Sequence, residues 1–539
     1  MSLFLDLRQR HASLIGRREP WMSYWQELAD ILLPNRADFV RRRGAAEMRG
    51  ADIYDGTPRL ALRDLASTLD GLMKPKTSNW FDGAVDDDLE DDDSVKRYHE
   101  IVRDRMWKAI YRDDARFIQR SGEVDLNLAC FGWGVLWIQQ NRLRNGLLFR
   151  AFHNAQVAID ENEDGIIDTV TVEESYTARQ AKAIYDRAGK EPSRLVSEAL
   201  ASPKTDARFP FAQIVLPRED RDASRIGVKN MPFASAVLDI KGEMLVAETG
   251  FEEFPAAVPR WDTAPGEVYA RSPGMMALPD SQTLQAMGKT LLVGGQRAVD
   301  PPIWVQNDAV LSPVRTFPGG ITVIDTSDSG GQPPVGAFPV STNVPLGREM
   351  QNDYRKNVEA AFFKNVFNLP IEGRQMTATE ILERKEEFIR TIGPVFGRLE
   401  TDYIGAVVNR VYGIMERAGA FPERPDVMID RRVSFRFQSP IQQARKQLEI
   451  AGLSRSLELL TPLVAHKPEI MDNFDSDRVV RDAPEWGGVP ARWLLPQDEV
   501  KKNRQANAEA AAEQAALATA KPVSEAARNI AEMMPQAAA

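Results

Sequence analysis

Three stretches of this chain place chemistry-bearing residues at spacings that deserve weighing. Asp160-Glu161-Asn162-Glu163-Asp164-Gly165 matches the D-x-N-x-D-G opening of a calcium loop, where alternating side-chain oxygens wrap a hard cation. The twelfth position of such a loop supplies a bidentate glutamate, and here it is Thr171. The flanks, Gln156 to Ile159 and Ile166 to Val172, read as strands, so a tight acidic hairpin turn accounts for the run better. Gly288-Lys289-Thr290 ends like a phosphate-binding loop. The glycine required five residues earlier is Thr283, however, and the tripeptide lies in a helical pattern with no strand before it. The run from Asp86 to Asp93 resembles a cation site in composition alone. Adjacent carboxylates repel and stay hydrated, and negative charge suits the helix start that follows, so a solvated helix-entry loop is the expectation.

Catalysis finds no constellation. His11, His99, His153 and His466 are scattered, and none stands in a run with other ligand-type residues. Cys130 is the only cysteine, which excludes an intramolecular disulfide and a thiolate cluster, and implies a reducing compartment, most simply a cytoplasm. No metal, no cofactor and no enzymatic activity are expected. Of the 539 residues 43% are hydrophobic and 27% charged, ordinary for a soluble globular protein with two to four structural units. No stretch reaches the roughly 18 apolar residues a membrane helix needs, and Met1 to Arg8 lacks the apolar core of a signal peptide. The net charge of −10 argues against tight gripping of phosphates. It suits a channel through which DNA slides, or equally a protein kept soluble by its charge.

The elements that position these residues follow from periodicity. Leu3 to Ile15 and Trp21 to Leu33 read as two helices. Thr57-Pro58 starts another through Leu62, Leu65 and Leu69 to Gly71, and Val95 to Tyr111 and Asp114 to Leu128 follow. Strands are expected at Val135 to Ile138, Leu147 to Phe152, Phe211 to Leu216, Phe233 to Ile240, Met244 to Glu248 and Ala256 to Trp261. Thr177 to Ala188 reads as a helix, and Glu191 to Ala207 as irregular. Beyond Gly419, Val433 to Phe437 alternates like a strand, and Ser439-Pro440 opens a helix to about Val464. From Gln497 the composition turns to Ala, Glu, Gln and Lys, a helix that needs neighbours or a frayed tail.

The centre of the chain runs helix, insert, helix, loop, helix. Asp280 is expected to cap the first, with Leu284, Met287 and Leu291 on one face and Asp300-Pro301-Pro302 as its stop. From Asp280 to Ala298 that helix rises about 28 Å, and Ala286, Gly288, Gly294, Gly295 and Ala298 keep it thin. The insert, Ile303 to Val344, is rich in glycine and proline with short strands at Ile303 to Gln306 and Ile321 to Ile324. The second helix begins after Pro345 with Met350, Tyr354, Val358 and Phe362 as its stripe. A loop, Leu369 to Met376, leads to the capping box Thr377-Ala378-Thr379-Glu380. The third helix keeps Phe388, Ile392, Val395, Leu399, Tyr403, Val407, Val411 and Ile414 on one face until Gly419, with a kink expected at Pro394.

Tyr269-Ala270-Arg271-Ser272-Pro273-Gly274, the run from Lys289 to Pro302, Met376 to Glu380 with Gly393-Pro394-Val395, and Leu65-Ala66-Ser67 through Trp80-Phe81 resemble the head-to-tail connector (portal) family of short-tailed phages. The resemblance extends from Trp25 to about Arg504. It implies an α+β, predominantly helical ring subunit with wing, stem, clip and a C-terminal helical crown or barrel. Carried onto this chain, residues 1–277 are the wing, 278–300 and 346–368 the stem helices, 301–345 the clip, and 369–376 the channel loop. Residues 377–420 are then the long kinked wing helix, 421–496 the crown region and 497–539 the tail.

Connectors of this family are dodecameric, and their loop protrudes into the channel. Arg374 in that loop, with Lys364 and Lys356 on the helix feeding it, is expected to make transient phosphate contacts. The implied partners are a homo-oligomeric ring, the terminase large subunit during packaging, tail adaptor and tail tube proteins, major capsid and scaffold proteins, and double-stranded DNA, with no membrane. The implied place is the portal vertex of a virion assembled in the host cytoplasm. Two alternatives stay open: another virion structural protein such as a shell or scaffold subunit, and a packaging ATPase, which would need a Walker A loop that the chain lacks.

Overall fold

The structure, a computed structural model of the full chain, describes residues 3–41, 44, 46–84, 89, 92–202, 207–222, 227–305, 312–315, 320–324, 335–338, 344–364, 393–429, 431–438, 455–456, 479–480, 495 and 499–512. It is an α+β protein in which helix outweighs strand. Two compact units divide it: Met1–Trp80 with Lys108–Ala418, and Phe81–Trp107 with Gly419–Ala539.

In the first unit, α1 (Leu3–Leu32) is one helix where two were expected, with Pro20 inside it. The amide missing at Pro20 would have met the carbonyl of Gly16, whose position is exposed and open to solvent, so the lost bond costs little. Both halves are held independently. Leu7 and Leu14 pack on a sheet, while Trp25 is fully buried among Trp133, Tyr269 and Phe39, with ring centroids 5.6, 5.3 and 5.8 Å away. The next helix, α2 (Thr57–Met73), buries Leu62, Leu65, Leu69 and Leu72.

In the second unit, β1 (Phe81–Ala84) is followed by α3 (Asp93–Ile110), whose residues to Trp107 count with this unit. Asp92 accepts from the amides of Ser94 and Val95 at 2.8 and 3.3 Å, the helix-entry role expected of the acidic run.

Back in the first unit, α4 (Phe117–Phe131) ends at Gly132, whose φ of +86° only glycine adopts freely. Strands β2 (Leu136–Gln140), β3 (Leu147–Ala151) and β9 (Ala256–Ala257) form an antiparallel sheet in the order β3-β2-β9. A five-stranded antiparallel meander runs β4 (Val157–Glu161), β5 (Ile167–Thr177), β6 (Arg208–Pro217), β7 (Phe233–Asp239) and β8 (Met244–Phe251). Alternation assigns its faces: Ala212 and Ile214 of β6 meet Leu7 and Leu14 of α1, whereas Phe209 and Phe211 meet Tyr185 and Val196. Those two belong to α5 (Ala178–Ala188), with a capping box at Thr177 and Gln180, and α6 (Arg194–Ala201). The helix α6 replaces the irregular segment expected there, because Val196 finds the sheet face to bury against. Side chains occupy main-chain groups of both outer strands. Arg18 donates to the Val157 carbonyl (3.1 Å), the Ile159 amide donates to Tyr269 Oη (3.4 Å), and Lys190 donates to the Leu245 carbonyl (2.6 Å).

The first central helix, α7 (Pro273–Val299), begins seven residues before Asp280 and carries Pro279 inside it. Its cap is Ser272, whose Oγ accepts from the Met275 amide at 2.9 Å and donates to the Cys130 carbonyl at 2.7 Å. Its buried residues stop at Leu284, so the remainder, about 22 Å of helix, runs on without core contacts. A small antiparallel pair, β10 (Ile303–Val305) and β11 (Val335–Ala337), follows. The strand expected at Ile321 to Ile324 does not form among the described residues beyond one bridging position at Ile324. α8 (Val344–Ala361) returns antiparallel to α7, since Gly347 lies against Leu291 and Gln351 against Gly288. The third helix is described from α9 (Gly393–Leu399) through a π-helical turn, Glu400–Gly405, into α10 (Ala406–Arg417), and stops before Gly419. The Leu369 to Met376 loop, the Thr377 capping box and the rest of 365–392 lie outside the described residues, and with them the turn ahead of Pro394 that the expected kink would bend.

In the second unit β12 (Ser434–Phe437) pairs with β1 in antiparallel register, Phe81 opposite Phe437. Of the helix expected from Ser439 only 455–456 are described, in helical conformation, whereas 499–512 of the Ala-rich tail is helical throughout.

Candidate functional site

The residues singled out from sequence fall into three situations. Arg374 lies outside the described residues. Lys356 on α8 is exposed, with Nζ 3.4 Å from Asp353 Oδ1. Lys364 is partly buried and turned toward its own chain, 3.1 Å from Glu359 Oε1 and 3.6 Å from Asp64 Oδ2 on α2. Burial alone would lower the Lys364 pKa, but the hydrogen bond and charge of Glu359, aided by Asp64, raise it, so the ammonium is held charged.

The polar residues that position α7 and α8 were not evident from spacing. Just ahead of α2, Asp55 accepts from the Thr57 amide at 2.9 Å and from Arg355 of α8, whose Nη2 is 2.7 Å away. Gln285 of α7 brackets the same turn: its Oε1 accepts from the amides of Tyr54 and Asp55 (2.8 and 2.9 Å), and its Nε2 donates to the Asp55 carbonyl (2.8 Å). Burial would raise the Asp55 pKa, yet the hydrogen bonds from Thr57 and the charge of Arg355 bring it below the usual carboxylate value. Gly288 completes the contact, since a Cβ there would stand 2.9 Å from Tyr54 Cβ. The small residues expected to thin α7 thus admit an intrachain neighbour at Gly288, while Gly295 faces open space.

The third helix is anchored by a different set. Lys74, immediately after α2, places Nζ 2.8 Å from both carboxylate oxygens of Asp125 on α4 and 4.6 Å from the ring centre of Tyr403 in the π turn. All three are buried. Burial pushes Asp125 up to about 6 against the pull of Lys74, and burial beside Asp125 raises the Tyr403 phenol well above its ordinary value. On α10, Glu253 holds both Arg410 (2.6 Å) and Arg417. The sequence signal was present but faint: Lys74 and Asp125 are lone charges next to apolar positions, Met73 and Val124, of helices that face a core.

In the two sequence decoys that are described, the side chains are engaged separately. In the acidic hairpin Asp160 pairs with Arg17 (2.6 Å) and Glu161 with Arg260 (2.5 Å), while Asn162 Oδ1 accepts from the Asp164 and Ile166 amides. The carboxylates therefore point to different arginines, and Gly165 turns the hairpin at φ +74°. Gly288-Lys289-Thr290 sits inside α7, with Thr290 Oγ1 donating to the Ala286 carbonyl. His11 contacts Thr171 and Glu173, and His153 contacts the Arg36 carbonyl. Among the described residues no group of three or more metal-type side chains converges, and no helix is long and apolar enough to cross a membrane.

What the arrangement does well is mechanical: it roots a protruding antiparallel helix pair and the third helix on one strut, α2. Residues 5–495 match the family model described as bacteriophage head to tail connecting protein. The chain is 27% identical over 536 residues, 98% of its length and 95% of the relative's, to the portal protein of Salmonella phage epsilon15. It is 27% identical over 522 residues, 95% of its length and 92% of the relative's, to the probable portal protein of Bordetella phage BPP-1. Among solved structures, a chain from the neck of an empty GTA particle is similar at TM-score 0.36 and 10% identity, covering 74% of this chain and 85% of that one. A chain from the virion of the native gene transfer agent (GTA) particle is similar at TM-score 0.37 and 10% identity, with 80% and 88% covered.

Proposed function

Because the chain belongs to the family of bacteriophage head to tail connecting proteins, it is a virion component with the portal role, and we propose how its parts divide that role. The family is a structural one, and the reading for this chain is a passive conduit with no catalysis of its own. Copies join head to tail into a closed ring of twelve, with α7 and α8 as the wall of the channel. The insert between them receives the terminase large subunit during packaging and tail adaptor and tail tube proteins later. The wing side meets major capsid and scaffold proteins. Double-stranded DNA passes through the ring during packaging and ejection, and assembly takes place in the host cytoplasm.

One observation supports this reading most directly. Apolar side chains remain on the outside of the helix pair where its core contacts end: Leu292, Val293 and Val299 of α7 and Leu346 and Met350 of α8 are exposed, Val299 to 88%. Burying such surface against a neighbouring copy is worth roughly 25 cal/mol per Å². Residues 1–277 as wing, 278–300 and 346–368 as stem, 301–345 as clip, 369–376 as channel loop, 377–420 as long wing helix, 421–496 as crown and 497–539 as tail complete the assignment.

In the channel Arg374 and Lys356 touch passing phosphates. Lys364 does so only by leaving Asp64 and Glu359. Native mass measurement and negative-stain imaging of the purified protein test the whole. A closed ring with a central hole is the expected result, and a protein that stays monomeric in solution and in infectious particles would overturn it.

A further inference from the structure

The third helix contains a turn that regular helical geometry would not produce. Leu399, Tyr403, Val407 and Val411 are all buried, yet they are spaced by three successive steps of four residues. At 3.6 residues per turn, three such steps drift by about 120° around the helix. The π turn at Glu400–Gly405 absorbs one extra residue, worth about 100°, which offsets most of that drift. Gly405 closes the widened turn, where a Cβ would already stand 3.3 Å from the Glu400 carbonyl oxygen.

A π turn persists only where its surroundings select it, and the selecting contacts are on Tyr403. Its ring, lying over Lys74, carries the selection, while its hydroxyl reaches the Ser121 carbonyl only at 3.4 Å, the long limit of a hydrogen bond. On the other side of the turn Asp402 comes within 3.9 Å of Arg260. Residues 365–392 lie outside the described part; the chain enters them just after a contact with α2, and ten residues past its return at Gly393 it meets the end of α2 again. Lys364 meets Asp64 in the middle of α2, and Tyr403 meets Lys74 at its end, about 15 Å further along the helix.

We propose that Lys74 and Tyr403 are positioning residues: they select the π register of the third helix, so that contacts with α2 set both where the chain leaves α8 and how the third helix is rotated after its return. The extra residue is then the adjustable part. Losing Tyr403's seat lets the turn relax to regular helix and rotates α9 relative to α10, which stays pinned through Arg410 and Arg417 to Glu253. The structural part stands independently of the portal reading. Only its consequence for DNA rests on that reading.

Hydrogen exchange on the full-length assembled protein separates this from general support of the fold. In Tyr403→Leu, and in Lys74→Met/Asp125→Leu where the ionic site becomes apolar, amides of 393–405 are expected to exchange about tenfold faster or more. Those of α10 and α4 should stay within about twofold of wild type. Tyr403→Phe keeps the ring over Lys74 and is expected to match wild type. Unchanged exchange at 393–405, equal acceleration throughout α4 and α10, or indistinguishable Phe and Leu variants would each overturn the proposal. Particles carrying Tyr403→Leu are expected to hold shortened genomes. Full-length genomes together with loosened 393–405 would sever the link to DNA and leave the family role untouched.

Discussion

Arg355 and Asp55, 300 residues apart in the chain, form a 2.7 Å ion pair that joins α8 to the turn ahead of α2. The same Asp55 accepts the Thr57 amide, and Gln285 of α7 holds its backbone. One short turn therefore roots both members of the helix pair, and the two partners of the ion pair do unequal work.

Asp55→Ala removes the acceptor at the start of α2 together with the Arg355 partner, and the expected loss is about 1–2 kcal/mol of unfolding free energy. Arg355→Ala should cost less than about 1 kcal/mol, because that guanidinium is 40% exposed and water replaces its partner. Denaturant unfolding of both single variants and the double variant measures this. Equal losses would move the weight from the cap to the ion pair.

The two glycines of α7 should behave in opposite ways. Gly288→Val drives a branched side chain into Tyr54 and is expected to destabilise the chain by about 1–3 kcal/mol. Gly295→Ala enters open space in a helix interior and should stabilise it by about 0.5–1 kcal/mol. A bulky Gly295→Trp should fold normally yet fail to close a ring, which native mass measurement would reveal. Rings of unchanged size would place the subunit contact elsewhere.

Glu253 supplies a pH dependence whose sign can be worked out. Burial would raise its pKa, but Arg417 and Arg410 together lower it below its ordinary 4.5. A carboxylate lowered in the folded state adds stability above its unfolded value and loses it as pH falls through the folded one. Protection of α10 amides should therefore decline on acidification below about pH 4.5. Glu253→Gln should weaken α10 at neutral pH and flatten that decline. A decline of unchanged size in the variant would assign it to other carboxylates.

For the channel contacts, Lys356→Ala should leave the unfolding temperature where it is, since that side chain is exposed, and alter genome retention. Lys364→Ala should also lower the unfolding temperature, because it leaves Asp64 and Glu359 without their shared cation. Variants of Arg374, Lys364 and Lys356 combined that package and retain full-length DNA as wild type does would remove the channel reading.

Much of the first unit was legible because its strands alternate and its core helices are strongly periodic. The meander strands, the acidic hairpin and the helix starting at Thr177 are local features with local signals. Three misreadings share a cause, which is tertiary contact outweighing a local stop or a polar run. Pro20 and Pro279 looked like breaks, yet Leu14 and Trp25 hold one helix and Ser272 starts the other. The segment around Val196 looked irregular until a sheet face was available to it. The anchoring pairs were illegible for another reason. Nothing in the sequence says that Lys74 will meet Asp125 or that Asp55 will meet Arg355, because a charge pair has no period. The π turn did leave a trace, in a four-residue stripe that persists too long for a regular helix.

The occupied margins of the five-stranded sheet bear on how the molecule tolerates its own company. Arg18, Tyr269 and Lys190 sit on backbone groups that a foreign strand would otherwise seek. Many copies brought shoulder to shoulder are thereby denied the cheapest route to tangling, and concentrated preparations should remain free of cross-β fibrils. At this sheet, whatever joins one copy to the next is left to side-chain surfaces, where a match can be made selective.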